Sequence, residues 1–104
     1  MAVTSKVLAR TAAATSNTTL YTVPNTSTTT VVTNIAVTNT ATSVATFTVN
    51  IDSVAIQSGS SLAANSTAYF DLKQVIPANA TPKTITGSAS ATTVNFHISG
   101  VEIV

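Results

Sequence analysis

The chain has 104 residues, of which four are basic and three acidic. Charged residues make up 7%, against about 25% in ordinary soluble domains, while hydrophobic residues make up 44%. Disorder of the usual kind is excluded, because it needs low hydrophobicity and high net charge. Four scattered cations do not make the basic field of a nucleic-acid binder, and no apolar run approaches the roughly 18 residues of a transmembrane helix. We expect one small domain with neither nucleic acid nor membrane as partner.

The chain contains no Cys, so neither a disulfide nor a thiolate metal site is expected. Arg10 interrupts the apolar stretch near the N-terminus, whereas a secretory signal needs an unbroken apolar region of about 7–15 residues. We therefore expect no secretory signal. A chain of this size buries only about 60–65% of its unfolded surface, so part of its stability is expected from association with copies or partners.

The segment 1–17 is weakly patterned and contains no acidic residue. This pattern fits either an N-terminal arm laid on a neighbouring subunit or a frayed first strand. The domain proper is predicted to cover residues 18–104. Helix formers such as Leu, Glu and Lys are scarce there, whereas the whole chain has 22 Thr, 13 Val and 7 Ile, which are β-branched and favour strands.

Two segments alternate clearly between apolar and polar residues, Val31 to Thr38 and Ala45 to Ile51. Such alternation predicts antiparallel strands with one face in a core and the other in solvent. The short segment between them, Asn39 to Val44, is rich in Thr, Ala and Ser. The two strands are therefore predicted to form a hairpin.

Weaker strands are predicted on both sides of this pair. They are Thr18 to Val23, Val54 to Ile56, Thr67 to Leu72 and Thr84 to Ser90. Pro24 ends the first of them, because proline has no N–H to donate to a ladder. Residues 57–61, around Gly59, are predicted to be a loop, and residues 77–83, which contain two prolines, a turn region.

The strongest alternation lies at the C-terminus, where Val94, Phe96 and Ile98 share one face of a predicted strand. After Gly100 the apolar phase shifts by one residue, to Val101 and Ile103. A one-residue shift at a glycine predicts a β-bulge.

Seven or eight short strands at close spacing predict a single-domain antiparallel β-sandwich, either a jelly roll or Ig-like. The residues expected in its core are Ile35, Val37, Phe47, Val49, Phe70, Phe96 and Ile98. The residues expected to be exposed or at interfaces are Thr46, Thr48, Asn95 and His97.

An enzyme needs a nucleophile with a base, a pair of carboxylates or a metal cluster. The chain offers His97, Asp52, Asp71 and Glu102, and it has no G-x-S-x-G elbow. His97 lies on the face opposite the apolar residues of its strand and is expected to point to solvent or a neighbouring subunit. The acids are too sparse for the six to eight oxygens of a Ca²⁺ site. We expect no enzyme, and no catalytic, cofactor-binding or metal-binding residue.

Five segments in order along the chain are similar to a small family of tailed-bacteriophage proteins of about 100 residues. They are Met1-Ala-Val-Thr-Ser-Lys-Val-Leu-Ala9, Thr19-Leu-Tyr-Thr-Val-Pro24, Val31-Val-Thr-Asn-Ile-Ala-Val-Thr-Asn39, Leu62-Ala-Ala-Asn-Ser66 and Val94-Asn-Phe-His-Ile-Ser-Gly-Val-Glu-Ile103. The chain departs from the family in lacking an Ala after Val-Pro and in its very Thr-rich middle. These departures bear on partner contacts more than on the fold.

The resemblance implies a β-sandwich and a role as a virion structural protein, most simply a capsid decoration (cement) protein bound to the major capsid protein. Such a protein is made in the host bacterial cytoplasm and ends on the particle surface. The resemblance also implies a homo-oligomer, with a trimer favoured over a dimer because icosahedral shells present three-fold sites. It permits a neck or tail component, while a host-surface binding module is disfavoured by the few aromatics and acids. The residues that contact the shell are left unassigned.

Overall fold

The computed structural model describes residues 2–104, in which the regular elements are eight strands and no helix. The strands are β1 (Val3–Ala12), β2 (Thr18–Thr22), β3 (Thr29–Asn39), β4 (Ala45–Ile51), β5 (Val54–Leu62), β6 (Ser66–Ile76), β7 (Thr84–Ala89) and β8 (Val94–Ile103). They form two antiparallel sheets, which we call sheet A (order β1-β8-β3-β6) and sheet B (order β2-β7-β4-β5). The predicted all-β sandwich is confirmed.

The strand pairs are nested. β1 pairs with β8, β2 with β7, β3 with β6 and β4 with β5. The chain therefore follows one long hairpin, with β4 and β5 at its tip, that is wrapped into two facing sheets. Eight strands arranged in this way make a jelly roll, which selects this fold over the Ig-like alternative.

The predicted hairpin between residues 31–38 and 45–51 is wrong. β3 lies in sheet A and β4 in sheet B, so residues 40–44 cross from one sheet to the other. The crossing lets the apolar faces of both strands, represented by Val37 and Phe47, line the space between the sheets. A hairpin would have placed the two strands side by side within one sheet. Alternation alone does not distinguish these arrangements, because both bury one face of each strand.

Asn39, at the end of β3, is fully buried at this crossing. Its Nδ2 donates to the carbonyl oxygen of Ser43 at 2.8 Å, and its Oδ1 accepts from the N–H of Ala41 at 3.1 Å. A buried amide side chain of this kind satisfies backbone groups that a ladder no longer pairs.

In the described chain, β4 and β5 are the only consecutive strands that lie in the same sheet. Asp52 and Ser53 join them, with φ values of 54° and 62°. A two-residue loop with positive φ at both positions is a type I′ turn, whose twist matches that of the flanking strands. The carboxylate of Asp52 also lies 3.4 Å from Nζ of Lys83.

The loop predicted at residues 57–61 is wrong, because β5 continues through it to Leu62. Gly59 has a φ of 55°, and the pairing of β5 with β4 shifts register at this level. The N–H of Gly59 donates to Oγ1 of Thr48 at 3.0 Å. β5 is an edge strand with many exposed positions, so residues of low strand propensity are tolerated there.

The core fills the space between the sheets. Six of the seven predicted core residues are buried: Ile35, Val37, Phe47, Val49, Phe96 and Ile98. Phe70 is half-buried because it lies on the edge strand β6, with its ring centroid 6.1 Å from that of Phe47. Among the residues predicted outside the core, Thr46 and His97 are exposed, and Thr48 and Asn95 are half-buried.

The bulge predicted in the last strand at Gly100 is wrong. Gly100 and Glu102 continue the inner face of β8, and Val101 and Ile103 point outward. The register shifts lie instead in the two neighbours of β8, between Val7 and Ala9 of β1 and between Val32 and Asn34 of β3. The sequence of β8 shows that the apolar residues change from even to odd positions, but it does not show why. The reason is that Val101 and Ile103 are apolar residues on the outer face of the sheet.

Residues 3–12 of the N-terminal segment form β1, an edge strand paired with β8 along its whole length. The N–H of Ala13 then donates to the carbonyl oxygen of Val94 at 2.7 Å. Leu8 and Ala9 are both buried, because the irregular register at this point turns two successive side chains inward. Met1 lies outside the described residues.

Candidate functional site

The four groups that acid–base or metal chemistry would need are spread over the molecule. His97 is exposed on the outer face of sheet A, and Asp71 lies on the edge strand β6. Asp52 lies in the β4–β5 turn, and Glu102 is buried on the inner face of β8. Within residues 2–104, no three His, Asp or Glu side chains come together as a possible metal site. The expected absence of catalytic, cofactor and metal residues stays a prediction.

Two of the acids have polar partners at the surface. Oδ1 of Asp71 accepts a hydrogen bond from Nδ2 of Asn34 at 3.2 Å, and Asp52 forms the ion pair with Lys83. Both contacts are at the surface, where an ion pair contributes little to stability. They orient surface side chains and do not assemble a reactive centre.

The third acid, Glu102, is buried and lies in a polar cluster at one end of the sandwich. Nζ of Lys6 lies 3.2 Å from its Oε1 and 3.3 Å from its Oε2. The hydroxyl of Tyr21 donates to Oε2 at 2.5 Å. With that proton committed, the hydroxyl of Thr30 donates to the oxygen of Tyr21 at 2.8 Å. We call these four residues the Glu102 cluster.

The Glu102 cluster connects the two sheets, because Tyr21 belongs to β2 of sheet B and the other members belong to sheet A. Burial, together with the hydrogen bond to Glu102, raises the pKa of Tyr21 to about 12, while the hydrogen bond from Thr30 acts in the opposite direction. The phenol is therefore a proton donor fixed on a carboxylate across the usual pH range. This arrangement stabilises the fold and leaves no free group for catalysis.

Two shallow depressions lie along sheet A. One, of about 420 Å³, is lined by Thr33, Asp71, Leu72 and Lys73 at the edge of sheet A. The other, of about 320 Å³, is lined by Arg10, Thr11, Ala12, Asn95 and His97 on the opposite side of the same sheet. Neither encloses a ligand-sized cavity lined by aromatic side chains of the kind that small-molecule sites use.

The aromatic residues do not form a stacking platform. Phe47 and Phe96 are buried and Phe70 packs against the core, as the alternation predicted. Tyr21 belongs to the Glu102 cluster. Tyr69, which is 73% exposed, is the only aromatic side chain classed as exposed in the described part of the chain. A base- or sugar-binding face needs several exposed rings.

What remains as a candidate site is the outer surface of the sheets. In sheet A, Val101, Val31 and Val75 are successive partners across β8, β3 and β6, so they share the outer face. In sheet B the corresponding face is built from hydroxyl and amide side chains: Thr46, Thr48, Asn50, Thr86 and Ser88. The two outer faces therefore offer different chemistry to a partner.

No protein-family model matches the chain, and a search of curated proteins finds no match either. Solved structures do match it. A chain of the T13 particle of infectious bursal disease virus is similar over 97% of this chain, with a TM-score of 0.58 and 14% identity. A chain from the Gt strain of that virus is similar over 97%, with a TM-score of 0.50 and 13% identity.

This chain spans only 30% and 32% of the length of those two viral chains. At such low identity the likeness shows the fold alone, which is a jelly-roll β-sandwich. The resemblance to a tailed-phage family stays a prediction. The structure of residues 2–104 has no helix of the length and apolarity that crossing a membrane requires.

Sequence reasoning missed both the Glu102 cluster and the apolar outer face of sheet A. Tyr21 and Glu102 lie 81 residues apart, and no local pattern connects them. The apolar face did leave a signal, since Val101 and Ile103 break the alternation of β8. Reading those two residues as outward-facing, rather than as evidence of a bulge, would have found it.

Proposed function

We propose that the protein is a virion structural component, specifically a bacteriophage capsid decoration protein that binds the major capsid protein shell and reinforces it. The observation that carries the proposal is the jelly roll, which is similar over 97% of the chain to part of a chain from a viral particle. The assignment to a bacteriophage depends on the sequence resemblance. It implies production in the host bacterial cytoplasm and a final location on the particle surface.

The surface chemistry supports a role in packing against other proteins. The strands of sheet B carry no charged residue, so packing against that sheet has little desolvation cost and little dependence on salt. An interface of about 1,200–2,000 Å² in total is sufficient for specific binding. A decoration protein that bridges two shell subunits binds more tightly than either contact alone, because the first contact raises the effective concentration at the second.

Self-association and binding to the shell are both part of the proposal. A homo-oligomer, with a trimer favoured, fits the three-fold sites of an icosahedral shell. The proposal includes no enzymatic activity, because His97 and the three acids lie apart in the fold. Neither nucleic acid nor membrane is a proposed partner.

The copy number of the protein in purified virions tests the proposal. Quantitative gel densitometry against the major capsid protein should give a near-stoichiometric band, which corresponds to hundreds of copies per particle. A band equivalent to a few copies or a few dozen would contradict decoration and favour a neck or tail component. The protein's absence from virions would contradict any structural role.

Reinforcement is tested with particles that lack the gene. These particles should release DNA at a lower temperature than complete particles, and adding purified protein back should restore the release temperature. Unchanged heat resistance together with lost attachment to the host would contradict reinforcement and support a host-binding module.

A further inference from the structure

The outer face of sheet A carries an uncovered group of aliphatic side chains. Val101, Val31 and Val75 form one row across three strands, and Ile103 and Val3 form the next. Val7 extends the group along the edge strand β1. We call this set the apolar patch; its six members are Val3, Val7, Val31, Val75, Val101 and Ile103.

The patch is contiguous and partly open to solvent. Val3 is 60% exposed, Val75 58% and Val7 47%. Strands lie about 4.8 Å apart and outward residues recur about every 6.7 Å, so the six residues cover about 200 Å². Single exposed aliphatic residues are ordinary, whereas aliphatic residues grouped in adjacent rows of one sheet face make that face a candidate contact surface.

We propose that the apolar patch is the contact between two copies of this chain, packed sheet A against sheet A about a two-fold axis parallel to the strands. This axis places β1 of one copy opposite β6 of the other, and β8 opposite β3. Val101 of each copy then faces Val31 of the other, near the axis. Facing sheets that keep their strand directions within about 30° are a common packing of β-sandwiches.

The charges on the same face suit this arrangement. Arg10, His97, Ala36 and Tyr69 are successive partners across sheet A and form one outward row. Under the proposed axis, Arg10 on β1 of one copy lies opposite Tyr69 on β6 of the other. An Arg over an exposed Tyr ring gains a cation–π contact. The two-fold axis repeats this contact on the other side of the patch.

Asp71 lies in the row next to Tyr69 on β6, so it is close to Arg10 of the other copy in this arrangement. Lys73 lies two residues further along β6, on the side away from Tyr69. In this arrangement Arg10 is therefore nearer to the Tyr69 ring and the Asp71 carboxylate of the other copy than to its Lys73. The face is therefore complementary to itself in charge, and Val101 and Val31 supply the apolar contact near the axis.

The available area matches what a specific pair needs. Four strands of about ten residues give a face of roughly 19 by 33 Å, or about 1,250 Å² for two copies together. This lies at the lower end of the range of about 1,200–2,000 Å² for specific interfaces. A pair held by this face is therefore expected to be reversible.

The inference deepens the self-association of the proposed function by naming its surface, but it does not depend on the particle role. An isologous contact joins copies two at a time. The expected species are therefore dimers, or hexamers if the chain also forms trimers through another surface.

Sedimentation velocity of the purified chain over a range of concentrations tests the inference. Wild type should form dimers or hexamers, and Val75→Lys should weaken the two-fold association by about tenfold or more, because it places a cation at each edge of the contact, opposite Ser5 and between Val3 and Val7 of the other copy. The matched control is Val44→Lys, since Val44 is 67% exposed but lies in the crossing between the sheets. The control should associate like wild type, and melting curves confirm that both variants fold.

A charge exchange tests the predicted orientation. Arg10→Asp and Asp71→Arg should each weaken association about three- to tenfold, and the double variant should recover most of the loss. Equal effects of Val75→Lys and Val44→Lys, or no recovery in the double variant, would overturn the proposed pairing.

Two other outcomes also overturn the pairing and separate it from the proposed function. A wild type that stays monomeric at about 100 µM, a concentration that detects even weak pairs, has no such contact. If that monomer binds shells and Val75→Lys abolishes the binding, the patch belongs to the shell protein, and the proposed function stands without the pairing.

Discussion

The two sheets share one core but present different chemistry to the outside. The strands of sheet B contain no charged residue, whereas the strands of sheet A contain Lys6, Arg10, Asp71, Lys73 and Glu102. Sheet A also carries the apolar patch. A low overall charge therefore does not mean a uniform surface, because the charged residues of the strands all lie in the sheet that carries the apolar patch.

The hydroxyl face of sheet B satisfies part of its polarity internally. Nδ2 of Asn50 donates to Oγ1 of Thr86 at 3.2 Å, and Oγ of Ser90 accepts from the N–H of Thr46 at 2.9 Å. Threonine is polar and also favours strands, so such a face stays hydrated without ions. Sheet A has no equivalent cover for its apolar patch, which is why we place the contact between two copies there.

The largest difference in stability between the two sheets is expected when a glycine in each sheet is replaced by alanine. A Cβ at Gly100 of sheet A would overlap the carbonyl oxygen of Val31, in a central strand that cannot move away. A Cβ at Gly87 of sheet B would lie 3.0 Å from Cδ1 of Leu20, which can rotate, and 3.0 Å from the carbonyl oxygen of Thr48, a less severe approach than at Gly100. We expect Gly100→Ala to lower the free energy of unfolding by about 3 kcal/mol and Gly87→Ala by about 1 kcal/mol, measured by urea denaturation. Equal losses would contradict the closer approach of β8 and β3.

Gly100 also shows what the sequence could and could not predict. Strict alternation placed β4 with its observed bounds and also the first part of β8, because burying one face leaves a period of two. The order of the strands was not predictable, because the pairing of β1 with β8 joins the two ends of the chain. The phase change after Gly100 was visible, but its cause lies in the neighbouring strands and in an outward apolar row.

In the candidate site, too, features that depend on one strand were predictable and features that depend on several strands were not. The outward position of His97 and the inward position of Phe96 follow from one strand and were predicted. The apolar patch needs the register of four strands, and the Glu102 cluster needs both sheets. Contacts between residues far apart in sequence carry no local signature, so only the fold reveals them.

The two ion pairs provide the next contrast between the sheets. In the pair of Lys6 with Glu102, the carboxylate side chain is only 11% exposed, whereas in the pair of Lys83 with Asp52 it is 45% exposed. Lys6→Met should lower the free energy of unfolding by about 1–2 kcal/mol, because it leaves an enclosed carboxylate without its cation. The matched variant Lys83→Met should cost less than about 0.5 kcal/mol.

Urea denaturation at neutral pH and low salt measures both variants. A larger loss in Lys83→Met than in Lys6→Met would contradict the buried character of the Glu102 cluster.

The pH dependence of stability should report on the link between the sheets. The pKa of Tyr21 is about 12 in the folded protein and about 10 when unfolded, so the unfolded chain loses this proton first as the pH rises. The contribution is therefore complete below pH 10 and is lost between about pH 10 and 12, with a slope of at most about 1.4 kcal/mol per pH unit. Tyr21→Phe should remove this part of the slope.

Stability curves of wild type and variant over this pH range make the comparison. Tyr69→Phe is the control and should keep the wild-type slope, because that side chain is exposed and outside the Glu102 cluster. Parallel curves for wild type and Tyr21→Phe would contradict the proposed contribution of this phenol.

The smallest expected effect is a gain at the tip of sheet B. Ser53 has a φ of 62° in the type I′ turn, where a side chain is strained and glycine is favoured. Ser53→Gly should raise the free energy of unfolding by about 0.5 kcal/mol, since the strain released exceeds the extra freedom of the unfolded chain. Ser43→Gly is the control. Ser43 is exposed and lacks positive φ, so this variant should lower the free energy of unfolding by a similar amount. A loss in both variants would show that the β4–β5 turn carries no strain, and that the tip of the long hairpin is held by pairing alone.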